Sequence, residues 1–317
     1  MPWRQRWFPN GEWVLLLVLA GETVFFSAIA PNFFTLGNVF EMTRFSVELG
    51  LLAVALTPVI VAGGIDLSVG SMIALTTVVI ALMLRADHAP LTAALAGVAA
   101  AAVCGLVNGI LVTQLKVVPF IVTLGTMLIV RGAAKGLAEE RRIEAPITWL
   151  NDLLRTQGGA ARLPAGIWAV VVLALAVAGV LRYTRFGRHV FAIGSNERMA
   201  RLCGVAISPT KIAVYTMAAA LVGMAGLLQF SKLSVGDPTV AVGLELDIIA
   251  AVIIGGGSLT GGRGTVAGTI IGAAIMTIIQ IGCTQKGLAS WVQQIVTGAI
   301  IVAAVALDRI RSTAGGD

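Results

Sequence analysis

The stretch Gly257-Ser258-Leu259-Thr260-Gly261-Gly262-Arg263-Gly264 comes near to a nucleotide-binding loop. A phosphate loop needs lysine to reach the phosphates and serine or threonine to hold the metal ion. Here Arg263 and Gly264 stand in those places, and an apolar run rather than a strand precedes the segment. It reads as a glycine-rich turn between membrane helices, not as an ATP site. Cys104, Cys203 and Cys283 lie far apart with no Cys-x-x-Cys pair, so the sequence indicates neither a metal centre nor a disulfide framework. This chemistry is not that of an enzyme, and no cofactor is expected on the chain itself.

A second glycine turn, Val61-Ala62-Gly63-Gly64-Ile65-Asp66-Leu67-Ser68-Val69-Gly70-Ser71, falls between two apolar runs. Gly63 and Gly64 permit a tight reversal. Asp66 can accept backbone N–H groups at the start of the next helix, with Ser68 in support. The same residues serve a simple capped hairpin or a functional site. The two turns resemble each other, either as copies of a parallel repeat or as similar turns. Asn108, Thr123 and Gln280 place hydrogen-bonding side chains inside spans, where they can bond helix to helix or line a polar path. Glu22 lies about 15 Å along the first span at 1.5 Å per residue, near mid-bilayer, and an intramembrane carboxylate is a functional hypothesis by default.

The elements that must position these groups follow from composition. Of 317 residues, 57% are hydrophobic and 12% charged, with a mean hydropathy of +0.94, against about 25% charged in soluble domains. In hydrocarbon every backbone polar group must be satisfied internally, and long continuous apolar runs favour helices over the alternating pattern of a barrel. The chain is therefore expected to be an all-α polytopic transmembrane bundle forming one transmembrane domain over 1–317. At about 17 to 25 residues per span, helices fall near 12–30, 47–62, 69–85, 91–113, 118–137, 166–182, 212–231, 245–256, 264–283 and 289–307. That is about ten spans, or as few as eight if weaker segments such as 245–256 are re-entrant. The segment Trp13 to Ala30 is long enough to span, and so reads as a first helix rather than a cleaved signal despite Ala28-Ile29-Ala30.

Basic residues orient the array. Placing Arg4 and Arg6 inside puts Lys116, the 183–211 loop, Arg263, Arg309 and Arg311 inside as well, with both termini cytoplasmic. The net charge of +6 thus reads as membrane anchoring, with lipid as the partner and no nucleic acid. The polar 139–164 segment becomes a periplasmic loop. Within 183–211, Ser195 or Asn196 can cap a short helix that Gly204 ends, presenting Met199, Leu202 and Cys203 beside Arg198 and Arg201.

These segments resemble the monosaccharide-type permeases of ABC importers, the family of the ribose, xylose, arabinose, galactose, rhamnose and autoinducer-2 transporters. The resemblance runs from Pro31-Asn32-Phe33-Phe34-Thr35 to Ala303-Leu307. It is carried by Gly64-Ile65-Asp66-Leu67-Ser68-Val69-Gly70-Ser71, Pro119-Phe120-Ile121-Val122-Thr123-Leu124-Gly125-Thr126, Thr184-Arg185-Phe186-Gly187, and Glu245-Leu246-Asp247 with Gly255-Gly256.

The resemblance implies a permease subunit in a bacterial inner membrane that pairs with a second copy or a paralogue. A cytoplasmic ABC ATPase, which uses ATP and Mg, would drive it, and a periplasmic solute-binding protein would supply it. It assigns coupling to Asn196, Glu197, Arg198, Met199, Ala200, Arg201, Leu202, Cys203 and Gly204, although Arg198 and Met199 stand where small residues are more usual. The Gly-Ile-Asp-Leu-Ser segment favours the sugar branch over relatives for branched-chain amino acids or nucleosides. A secondary transporter would need ionisable groups inside spans, and apart from Glu22 the span interiors read as nearly free of them.

Overall fold

A computed structural model describes residues 12–30, 33–154 and 164–314. Arg4, Arg6, Pro31, Asn32 and the 155–163 part of the polar loop lie outside the described residues, as do the side chains of Arg309 and Arg311. The helices are α1 (Trp13–Ile29), α2 (Leu36–Val61), α3 (Val69–Arg85), α4 (Pro90–Leu115), α5 (Pro119–Leu137), α6 (Ala165–Tyr183), α7 (Arg185–Ser195), α8 (Glu197–Leu202), α9 (Ile207–Leu233), α10 (Leu244–Ile254), α11 (Val266–Gln285) and α12 (Ser290–Ala314). Among the described residues, six helices (α2, α4, α5, α6, α9 and α11) are long and apolar enough to cross a membrane, and α1, α3 and part of α12 are shorter apolar helices. Two strands of two residues, β1 (Ile143–Glu144) and β2 (Val235–Gly236), pair antiparallel, Ile143 opposite Gly236. Apart from these and a 3-10 turn (Trp149–Asp152), the regular structure among the described residues is α-helical.

Proline opens α4 and α5 at their first positions, where its missing N–H costs nothing and its fixed φ suits the helix. The second half of α2, from Glu48 to Val61, is buried all round, the mark of a central helix. Around it, small residues let backbones touch. A Cβ on Gly109 of α4 would stand 2.7 Å from Ile212 Cα of α9, and one on Gly272 of α11 only 2.0 Å from the Ala251 carbonyl oxygen of α10. Such close approach is how membrane helices pack when lipid is as apolar as leucine.

Three expectations change. First, α2 starts at Leu36 rather than near 47. Its polar first half is held by Arg44, which pairs with Glu41 at 3.0 Å and donates to the Leu154 carbonyl. Second, the loop around 183–211 holds two helices instead of one. The Thr184 side chain accepts from Gly187 N to cap α7. Third, the span interiors are not nearly free of ionisable groups. Glu48 sits in α2 with Lys232 Nζ 3.9 Å from its carboxylate, and the Gln229 amide, oriented to donate, reaches both of its oxygens. Arg131 stands well inside α5. The groups are paired with protein partners, which is how such residues are tolerated in a bilayer.

The candidate translocation and coupling regions

The α2–α3 turn is built around Asp66, which is 1% exposed. Its Oδ1 accepts from Ser68 N at 2.9 Å and from the Ser68 hydroxyl. Asn108 Nδ2 on α4 donates to Ser68 Oγ at 2.9 Å, and Thr123 on α5 donates to the Ile65 carbonyl at 3.1 Å. Asn108 and Thr123 are fully buried, with Asn108 Nδ2 and Thr123 Oγ1 engaged by this turn and Asn108 Oδ1 lacking a partner among the described residues, and Ser68, the residue before α3, caps no N–H itself. Gly64 is required by packing: a Cβ there would meet Tyr215 Oη at 2.6 Å. Gly63, at φ +76°, takes the left-handed region that favours glycine.

The α10–α11 turn lies against the first. Gly262 N donates to the Val61 carbonyl at 2.8 Å. The end of α7 completes the junction, because a Cβ on Gly194 would lie 1.7 Å from that same oxygen and 2.5 Å from Gly262 N. Both glycine turns and the 184–204 segment therefore meet at one end of the bundle. The turn that includes Arg263 follows helix α10, in a helical hairpin, and Gly256 (φ +90°) begins it. Gly255 packs on α11, where a Cβ would meet the Gly268 carbonyl oxygen at 2.5 Å.

From that junction α8 projects outward. The Asn196 side chain accepts from Met199 N at 3.0 Å, selecting Asn196 over Ser195 as the cap. Gly204, at φ +81°, follows the helix end at Cys203. Ala200 is buried with Ile193 and Ile207, whereas Met199 is 55% and Leu202 81% exposed; Arg198, Arg201 and Cys203 are also exposed. Glu197 bonds Lys211 Nζ at 2.7 Å and Arg201 at 3.1 Å. The Lys211 hydrogen bond, helped by the two positive charges and opposed by partial burial, holds its carboxyl below the ordinary range.

At the opposite end β2 leads into a non-helical segment that reaches α10. Arg131 of α5 donates from one nitrogen to the carbonyls of Pro238 at 2.9 Å and Val240 at 2.7 Å. Asp237 accepts from Thr239 N at 2.8 Å and pairs with Arg142 at 2.7 Å. In α10 Asp247 accepts from Gln280 Nε2 of α11 at 2.8 Å. Glu245 lies beside Gly70, whose Cβ would stand 2.8 Å from Glu245 Oε2. The sequence reading named Asp247 and Gln280 separately and missed Arg131 and Asp237. A charged residue in an apolar run was the available signal for Arg131. Glu22 remains outside these groups, with its Oε2 shielded and lacking a hydrogen-bond partner among the described residues.

A helical bundle with six helices long and apolar enough to cross a membrane among the described residues has the make-up of a polytopic membrane protein. Comparison with known proteins gives the class directly. The family model described as "Branched-chain amino acid transport system / permease component" matches residues 38–305. The ribose import permease RbsC of Escherichia coli K12 is 37% identical over 297 residues, covering 93% of this chain and 92% of the relative. RbsC of Bacillus subtilis is 36% identical over 286 residues, covering 90% and 89%. The L-arabinose ABC transporter permease AraH of Azospirillum brasilense is 33% identical over 287 residues, covering 90% and 84%. No solved structure matches the chain. The chain belongs to this family of ABC importer permeases, and it is a transporter subunit rather than an enzyme.

Proposed function

We propose that the chain provides the membrane path for a monosaccharide in a binding-protein-dependent importer of a bacterial inner membrane. The relatives at 33 to 37% identity named for ribose and arabinose support the sugar, and make D-ribose the first solute to test. In this reading the chain crosses about ten times, with both termini cytoplasmic and the 139–164 loop facing a periplasmic solute-binding protein. A second copy or a paralogue completes the conduit. ATP and Mg belong to a cytoplasmic ABC ATPase that docks on α8, the helix within 196–204.

The observation that carries this reading is the junction at one end of the bundle. Exposed Met199 and Leu202, flanked by Arg198 and Arg201, stand on a helix whose root touches both glycine turns through Gly194. A push on α8 is delivered to the ends of α2, α3, α10 and α11 together. Transport then requires the ATP-bound ATPase to bind one arrangement of these helices better than the other. The test is co-purification of the ATPase with wild-type chain and with the Met199→Glu, Leu202→Glu pair. Loss of the ATPase with the helical fold retained is the expected result. Undiminished co-purification contradicts it.

A further inference from the structure

The segment between β2 and α10 runs alongside the apolar helix α3. A Cβ on Gly236 would touch Ala81 Cβ at 2.7 Å and Val78 Cα at 3.1 Å, whereas one on Gly70 would meet the Ala241 carbonyl oxygen at 2.3 Å. Between these contacts the chain descends past roughly ten residues of α3, about 15 Å at 1.5 Å per residue. Non-helical backbone therefore lies at the depth of α3. Arg131 satisfies the carbonyls of Pro238 and Val240. Among the described residues the main chain of Ala241 makes no hydrogen bond of ordinary geometry, and no side chain caps the start of α10. Val242 is 75% and Leu246 51% exposed, while Glu245, Asp247 and Gln280 are part-exposed beside them.

Hydrocarbon cannot cover such a face. Unsatisfied main-chain groups cost several kcal/mol each in lipid, so irregular backbone at membrane depth is buried in protein or lines a water-filled space. The ionisable groups impose the same restriction, and broken helices are where membrane transporters expose main-chain donors and acceptors to their cargo.

We propose that the 237–247 segment, with Glu245, Asp247 and Gln280, forms the water-lined wall along which a hydroxyl-rich solute moves. The proposal rests on the reading of the chain as an import path and assigns that path a location. Carboxylates accept from sugar hydroxyls, the Gln280 amide offers both a donor and an acceptor, and main-chain groups at Ala241 supply further partners. Arg131 is a positioning residue, because one of its terminal nitrogens holds the segment's carbonyls at Pro238 and Val240. The wall differs from the Asn108 and Thr123 positions, which are sealed inside the first glycine turn.

The test uses the assembled importer in lipid vesicles, in a Cys203→Ser background because Cys203 is exposed. Val242→Cys and Leu246→Cys are compared with Leu17→Cys and Leu175→Cys, whose parent side chains are 73% and 68% exposed on α1 and α6. The probe is a water-soluble methanethiosulfonate, which reacts with the thiolate and so requires water at the site. Positions 242 and 246 should react at least about tenfold faster than 17 and 175. Equal rates at all four positions, or slower labelling at 242 and 246, overturn the proposal, as a lipid-facing or dry subunit interface would give. As a second measurement, Arg131→Lys keeps the charge but ends one atom short of the nitrogen that holds both carbonyls. It should raise several-fold the D-ribose concentration for half-maximal uptake while leaving the melting temperature unchanged. An unaltered half-saturation would remove Arg131 from the wall's support. Failure of the wild-type importer to take up D-ribose would count against the sugar reading alone, since the labelling pattern needs no sugar.

Discussion

Replacing Gly194 with alanine tests the junction that joins α7 and α8 to the two glycine turns. The new Cβ would sit 1.7 Å from the Val61 carbonyl oxygen, where ordinary contact begins at 3.4 Å, so the chains must part by about 1.7 Å. That separation takes the 2.8 Å bond from Gly262 N to Val61 O out of range or forces α7 aside. Overpacking typically costs about 1 to 3 kcal/mol and a lost hydrogen bond about 1 kcal/mol, offset by about 0.5 to 1 kcal/mol because alanine suits a helix better than glycine. The net is a loss of about 1 to 3 kcal/mol. Gly179→Ala on α6 is the control, since a Cβ there meets nothing within 4 Å. Thermal unfolding of the purified chain should show Gly194→Ala melting about 1.5 to 4.5 °C below wild type and Gly179→Ala at or above it. Because α8 hangs from this junction, uptake by the assembled importer should fall in the first variant only. If Gly194→Ala melts with wild type, the three backbones do not meet as described.

The remaining predictions concern single side chains. Asp66→Ala removes the oxygen that accepts both the Ser68 N–H and the Ser68 hydroxyl in a fully buried turn, and should destabilise the chain by about 1 to 3 kcal/mol in thermal unfolding. Glu197 has a folded-state pKa below its ordinary 4.5, so its ion pairs contribute stability above pH 4.5 that fades as pH falls through the lower folded value. Half exposed as it is, Glu197→Gln should cost less than about 1 kcal/mol near neutral pH; unfolding measured between pH 3 and 7 should show a shallower acid-side loss in the variant. Gln280→Leu frees Asp247 from its 2.8 Å donor, and D-ribose uptake should drop while insertion and folding, followed by far-UV circular dichroism, persist.

How much of this was legible in the sequence depends on whether a feature is set by local or by distant residues. Apolar runs and prolines placed α4, α5 and α6 within a few residues, because helix formation in lipid leaves the backbone no alternative. The start of α2 was missed because Asn38, Glu41 and Arg44 interrupt the apolar signal, while Arg44 is anchored by a carbonyl 110 residues away. Asn196 and Gly204 were readable as helix boundaries since capping is local. The Asp247–Gln280 pair was not, because it depends on α10 and α11 closing over Gly268 and Gly272. Arg131 was visible as a charge in an apolar stretch. Its partners were invisible, being main-chain carbonyls 107 and 109 residues further on.

The central claim, that this permease conducts a sugar under the control of a separate ATPase, is tested most directly by reconstitution in proteoliposomes. With the ATPase, Mg-ATP and the solute-binding protein present, uptake of labelled D-ribose or another monosaccharide should proceed and should stop when any one of them is omitted. The purified chain alone should neither hydrolyse ATP nor accumulate sugar. Uptake by the chain alone under an ion gradient, or ATP hydrolysis by the chain alone, would contradict the account.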